Sequence, residues 1–389
     1  MSTLETVDLA RWHRTILILF STAGLTGASM MVRLPEVRQT LGVTTSQLGL
    51  VLLSFAIGAM SGLMVVGKFI AHRGTRRGIV IGLVFWFVGT AAMIAALGIS
   101  SVILFVIGGL LSGFGAGWVD VGMNVDGTEI EKRLGRSAMP KMHAAFSIGS
   151  LTGAALGTLA IQYNFTIVFQ MAVLATICFA LPIFSVMNLP TGHGIHDEEP
   201  GEKKSGPVFG KLVVMLGIGI LGMTIAEGAG NDWLAIGLVD DYLATPTSAG
   251  IAYAIMVGSM TLVRFFGGSL TDSYGKASTL RLTGALGILG LLLLIAKLSI
   301  FTAWIGAGLW GVGVALAFPL FLSAAGELPN PAKKVAAVSS FGYTAFLVGP
   351  PLLGFVGQAI GVVNMYWVVL SFIAVSVIVA GAAGNKRSS

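Results

Sequence analysis

The sequence predicts an all-α polytopic membrane protein, with twelve transmembrane helices in two pseudo-symmetric six-helix bundles. Three observations predict it. The 389 residues are 55% hydrophobic and only 10% charged, with a mean hydropathy of +0.89, where a soluble domain carries about a quarter charged residues. Apolar runs recur along the whole chain, several longer than the roughly 20 residues that cross a bilayer as helix. Finally, the loop Gly67-Lys68-Phe69-Ile70-Ala71-His72-Arg73-Gly74-Thr75-Arg76-Arg77 returns in the second half as Gly268-Ser269-Leu270-Thr271-Asp272-Ser273-Tyr274-Gly275-Lys276. Two copies of one loop at equivalent places mean two equivalent halves.

The spans follow from the apolar runs. The first, 15–34, is peppered with small and hydroxyl residues and closes at Arg33-Leu34-Pro35, where proline marks a helix boundary. Spans at 46–70, 78–98 and 101–125 come next, and then a charged link from Asp126 to Lys141. Span five, 142–162, carries Gly149, Gly153 and Gly157, a spacing that lets a neighbouring backbone approach along one face. Span six is 165–187. The Pro- and Gly-containing stretch after it reads as a flexible linker between halves, giving bundles at 1–188 and 209–389 with a linker at 189–208. The second half repeats the plan at 209–234, 247–270, 277–297, 301–325, 335–358 and 362–383. Pro319 and the pair Pro350-Pro351 free backbone carbonyls and are expected to bend spans ten and eleven.

Composition and motifs exclude several classes. The single cysteine, Cys178, leaves no disulfide framework and no thiol-rich metal site. There is no Walker loop, dinucleotide fingerprint, zinc spacing or nucleophile elbow, so no enzyme, cofactor or metal is expected. The pI near 9.5 does not point to nucleic acid, because the basic residues sit in short links between spans. All of the 23 Lys and Arg except Arg33, Arg38 and Lys297 fall on the side of the N-terminus. That bias predicts cytoplasmic termini and a cytoplasmic linker. The polar start shows no cleavable signal peptide, so the first span is expected to be retained.

Charged residues inside the spans are the candidates for chemistry, because lipid exposure of such a group costs roughly 3 kcal/mol. Asp120 and Asn124, four apart, share a face of span four. Asp120 is either a coupling or substrate carboxylate or a structural hydrogen-bonding group. Span seven offers Glu227-Gly228-Ala229-Gly230-Asn231-Asp232-Trp233, whose two glycines favour a local helix break of the kind that builds transporter sites. Glu227, Asn231, Asp232 and Trp233 would suit a polar, hydroxyl-bearing ligand stacked on the indole; the alternatives are a structural ion pair for Glu227 and interface anchoring for Asp232 and Trp233. His143 opens span five and either pairs with Asp120 or is a satisfied histidine. Arg264 either offsets an acidic gate residue or contacts an anion. Gln170 and Asn364 are amides within spans and need partners.

The paired loops resemble the signature of the major facilitator superfamily, at the links between helices two and three and between eight and nine. Lys141-Met142-His143-Ala144-Ala145-Phe146-Ser147-Ile148-Gly149, the Glu227 to Trp233 run and the Arg33-Leu34-Pro35 end resemble a bacterial inner-membrane branch near the fucose permease group. The resemblance implies two six-helix bundles around a central site, rocker-switch alternating access, secondary energisation often by protons, and a monomer in the membrane lipid. It also implies a gating role for Gly67, Gly74, Arg76, Arg77, Gly268, Asp272, Gly275 and Lys276, with Arg264 nearby. In this signature an acidic residue pins the halves; Asp272 fits, whereas the first copy has Ala71 there. The expected function is proton-coupled uptake of a small polar metabolite such as a sugar. Proton-driven efflux and a non-transporting sensor or scaffold are the alternatives.

Overall fold

The computed structural model describes residues 8–135, 138–195 and 210–384. Within them the chain is helical from end to end, and 12 segments are long and apolar enough to cross a membrane. In the first half the helices are α1 (Leu9–Met31), the short α2 (Leu34–Leu41), α3 (Thr45–Arg73), α4 (Thr75–Gly98), α5 (Val102–Leu134), α6 (Met139–Gln162) and α7 (Ile167–Ser185). In the second half they are α8 (Lys211–Asp241), α9 (Pro246–Tyr274), α10 (Lys276–Ile295), α11 (Ile300–Val314), α12 (Ala317–Gly326), α13 (Pro331–Ile360) and α14 (Val362–Val379). Helix α2 is too short to span, and α11 with α12 make one span. The chain divides into one unit of Met1–Val43 with Leu50–Glu202 and a second of Thr44–Gly49 with Lys203–Ser389.

Local chemistry sets the helix ends. Asp8, Ser101, Thr166, Thr245 and Ser299 each accept backbone N–H groups in the first turn of the helix that follows, filling donors that have no partner within the helix. Proline occupies the first turn of α2, α6, α9 and α13, where its missing N–H costs nothing. The duplicated loop is a duplicated conformation as well. Gly74 and Gly275 adopt φ of +83° and +76° with ψ of 161° and 160°, each between two long helices. Only glycine enters that region without strain. Gly67 and Gly268 have open space around them, so within each unit it is the second glycine of each copy that the backbone demands. Gly74→Ala and Gly275→Ala are expected to lower the melting temperature in detergent, and the same change at Gly67 or Gly268 to leave it nearly unchanged.

The glycine spacing of span five does what it predicts. A side chain at Gly149 or Gly153 would run into the α1 backbone at Ser21 or Leu25, and one at Gly157 into Val32. Membrane helices gain little from hydrophobicity against one another, so this approach of backbones supplies the packing.

Two expectations are corrected. The charged link after span four is mostly helix: α5 continues to Leu134, carrying an Arg133–Glu129 pair at 2.8 Å. Glu131 then caps α6 by accepting the N–H groups of Ala138 and Met139. Span seven is unbroken through Gly228 and Gly230, because Gly230 fills a packing role against Met256 and Trp310. The break lies in span ten, ahead of Pro319, where the sequence expects a bend. Most of the expected linker falls outside the described residues, but Leu189 to Ile195 belongs structurally to the first unit.

Candidate functional site

In the second unit, two polar bridges join α8 to α9. Arg264 Nη2 donates to Glu227 Oε1 at 2.8 Å, and the Tyr253 hydroxyl donates to Asn231 Oδ1 at 3.2 Å. Glu227 and Asn231 lie one turn apart on α8, and Tyr253 and Arg264 about three turns apart on α9, so each pair shares a helix face.

Arg264 is fixed a second time, by Nε donating to the carbonyl of Ala315 at 3.1 Å. That carbonyl is open because the residue four positions on is Pro319, which has no N–H to return. The helix parts there into α11 and α12. Gly267, one turn from Arg264, leaves the room that Leu316 occupies beside the break. The Arg264 and Glu227 side chains remain 32% and 21% exposed. Within a span, such a charged surface meets water rather than hydrocarbon.

The remaining span-seven candidates separate. Asp232 is half-buried and makes no hydrogen bond or ion pair among the described residues. Trp233 is fully buried, with its carbonyl accepting from the Tyr366 hydroxyl at 3.1 Å and Gly354 against its ring. It packs in the interior of the second unit and offers no stacking face beside Glu227. The amide of Asn364 donates within its own region, to Ile360 O at 2.8 Å.

In the first unit, Asp120 is exposed and accepts from Asn124 Nδ2 at 3.1 Å, while the same amide reaches the Asp120 carbonyl at 2.8 Å. Both bonds stay within one helix face. Asp120 makes none to His143, which instead stands edge-on to Phe20 with ring centroids 5.1 Å apart. Gln170 finds the partner it needs in Arg33, whose Nη1 donates to its Oε1 at 2.6 Å. Arg33 also holds Glu36 and the Phe165 carbonyl, locking α1 and α2 to the start of α7.

One cluster escaped the sequence reading. Asp126 is completely buried and accepts from Trp12 Nε1 at 2.9 Å and from His193 Nδ1 at 2.8 Å. The His193 ring stands edge-on to Trp12, and the Arg133 guanidinium lies over the same indole at 5.4 Å. The His193 carbonyl accepts the Thr75 N–H at 2.8 Å, at the start of α4 and beside Gly74. The link after α7 is therefore tied to α1, α4 and α5. Asp126 heads a charged run in the sequence, which is why it reads as solvated there.

The repeated loops differ in their side-chain partners. Lys276 pairs with Glu327 at 2.6 Å. In the other copy Arg76 donates to Met187 Sδ at 3.2 Å and Arg77 is exposed. Asp272 is exposed and has no partner among the described residues.

A match to the Major Facilitator Superfamily spans residues 15–344. The chain belongs to the major facilitator superfamily. It is 29% identical over 350 residues to an uncharacterised MFS-type transporter of Yersinia pestis, covering 87% of each chain. To the membrane protein MosC of Rhizobium meliloti it is 27% identical over 369 residues, 94% of this chain and 87% of that one. Among solved structures it superposes on the MFS transporter FucP in the outward conformation, with TM-score 0.62, 15% identity and coverage of 96% and 99%. With the nucleoside transporter NupG the TM-score is 0.67, at 15% identity and coverage of 96% and 98%. At that identity the superpositions speak for the fold alone. This facilitator is a multi-pass membrane transporter and not an enzyme.

Proposed function

We propose that this transporter takes up a small polar metabolite, such as a sugar or sugar derivative, together with protons by alternating access. The observation that carries the reading is the Arg264–Glu227 pair, an ion pair inside a span with both members part-exposed. A carboxylate whose counter-ion is shared with an accessible surface can exchange that bond for a proton or a ligand as exposure changes sides. The related fold of a fucose:proton symporter of E. coli, TM-score 0.62 at 15% identity, is compatible with that chemistry. Asp120, exposed on the first unit, is the second proposed proton site, and the paired loops with Asp272 and Lys276 the proposed gate.

The test is proton movement. The full chain is reconstituted in liposomes holding a pH-sensitive dye, and sugars, nucleosides and small acids are added outside. Symport predicts a solute-dependent change of internal pH that grows when an inward proton gradient is imposed. A solute that crosses with no accompanying proton defeats the reading. Asp120→Asn is expected to leave the melting temperature nearly unchanged, since the new amide oxygen can still accept from Asn124 within the same exposed helix face. It should nonetheless flatten the pH dependence of solute binding; an unchanged profile removes Asp120 from coupling.

The basic-residue bias supports cytoplasmic termini and placement in a bacterial inner membrane. Cys178 is buried, so Lys68→Cys and Lys297→Cys can each be labelled against a low background. They are expected to react from opposite sides, Lys68→Cys from within; labelling of both from one side overturns the topology.

A further inference from the structure

We infer that the solute carries a carboxylate, and that Arg264, held in posture by the carbonyl Pro319 sets free, binds it in place of Glu227. The inference rests on the symport reading and names the substrate class of the same site. A guanidinium has five N–H donors in a fixed planar fork. In Arg264 one goes to Ala315 O and one to Glu227 Oε1, and the rest have no partner among the described residues. The side chain is thus anchored at Nε and part-exposed, with the edge opposite Nε held only by Glu227. That edge is the one that pairs with carboxylates through two parallel bonds.

Counting charge narrows the ligand further. The other described Lys and Arg of the second unit, Lys211, Lys276, Arg281, Lys297, Lys333 and Lys334, lie at or near helix ends. Arg264 sits about three turns inside α9. One fixed positive charge suits a single carboxylate, and a phosphate dianion would ask for a second. When the solute's carboxylate takes the guanidinium, Glu227 loses its counter-ion. A lone carboxylate is costly there, and the proton that neutralises Glu227 is the one carried with the solute. The Arg264–Glu227 pair holds zero net charge before the exchange, and Arg264, the solute carboxylate and protonated Glu227 together hold zero after it, so the exchange moves no net charge.

Pro319 is a positioning residue in this scheme. An N–H at position 319 would compete for the Ala315 carbonyl, heal the break between α11 and α12, and release the Nε anchor. Nothing else among the described residues of the second unit requires that carbonyl to be open.

Thermal shifts of the detergent-purified full chain test the inference, using acids against their uncharged counterparts at constant ionic strength: acetate with acetamide, lactate with lactamide, benzoate with benzamide, gluconate with glucose. At least one acid is expected to raise the melting temperature where its counterpart does not. Arg264→Gln should abolish that rise. Pro319→Ala should weaken it at least several-fold in apparent affinity while leaving the ligand-free melting temperature near wild type. Glu227→Gln should keep or strengthen it, because the competing carboxylate is gone. Equal shifts by acids and their counterparts, an acid shift that survives Arg264→Gln, or no acid shift in the series each overturn the inference. If the liposome assay then shows a neutral solute moving with protons, symport stands and only the carboxylate assignment falls. Unfolding of Arg264→Gln would shift the decision to Arg264→Lys, which keeps the charge without the planar fork and should bind acids more weakly.

Discussion

Glu227→Gln is expected to abolish gradient-driven accumulation while the protein still folds and still binds its solute. Glutamine matches glutamate in size, and its carbonyl can accept the Arg264 Nη2 bond now made at 2.8 Å. The helix face, the Tyr253–Asn231 bridge and the Ala315 anchor are all left in place. What disappears is the ability to gain and lose a proton. A carrier without that step can only let its solute run to equal concentrations on the two sides, because a proton gradient moves solute only through a state that binds both. The measurement is accumulation in liposomes under an imposed gradient, compared with exchange of solute across the same membrane at no gradient. Loss of accumulation with exchange preserved is the expected pair of results. Accumulation at the wild-type level would take Glu227 out of coupling and leave its pair with Arg264 as a structural bond.

The second large effect is expected at Asp126. Its carboxylate is fully buried and receives bonds from Trp12 and His193. Asp126→Ala would strand both donors in the interior, a loss on the order of 3 kcal/mol, and unit one should melt at a distinctly lower temperature. Asp126→Asn should cost much less. The Trp12 Nε1–H can only donate, so the new amide oxygen must face it, and the amide N–H then meets His193 Nδ1, which can accept in its other neutral tautomer. The expected order of melting temperatures is wild type, then Asn, then Ala. Equal melting of all three would show that the cluster contributes nothing to stability. His193→Ala combined with Asp126→Ala should lose less than the sum of the two single changes, since each removes the same bond.

The Asp126 cluster also marks where the sequence stopped being legible. The run of charges from Asp126 onward reads as a solvated link, and the inference fails because burial of a carboxylate depends on donors brought by other elements. Trp12 lies on α1 and His193 beyond α7, and nothing in their spacing along the chain reports that they meet. The same holds for Gln170, whose need of a partner was readable but whose partner, Arg33, was not. Trp233 misled for the converse reason. An indole beside two carboxylates looks like a ligand face, yet it points from α8 into the interior of the second unit.

By itself the sequence determined the twelve spans, the doubling of the chain, the membrane setting and a glycine face on span five that admits a neighbouring backbone; that the neighbour is α1 came from the structure. Each of these is a matter of local composition or of a repeat, and a bilayer leaves an apolar run of that length one stable form, the helix. The sequence showed the repeat of Gly74 and Gly275, but their shared positive φ was read from the structure. Only the tertiary structure decided which polar groups meet: that Arg264 finds Glu227, that the carbonyl Pro319 sets free goes to Arg264, and that span seven runs unbroken through its glycines. A glycine in a span is open to a break or to a close contact, and the neighbour that packs against it, Met256 and Trp310 at Gly230, chooses between them.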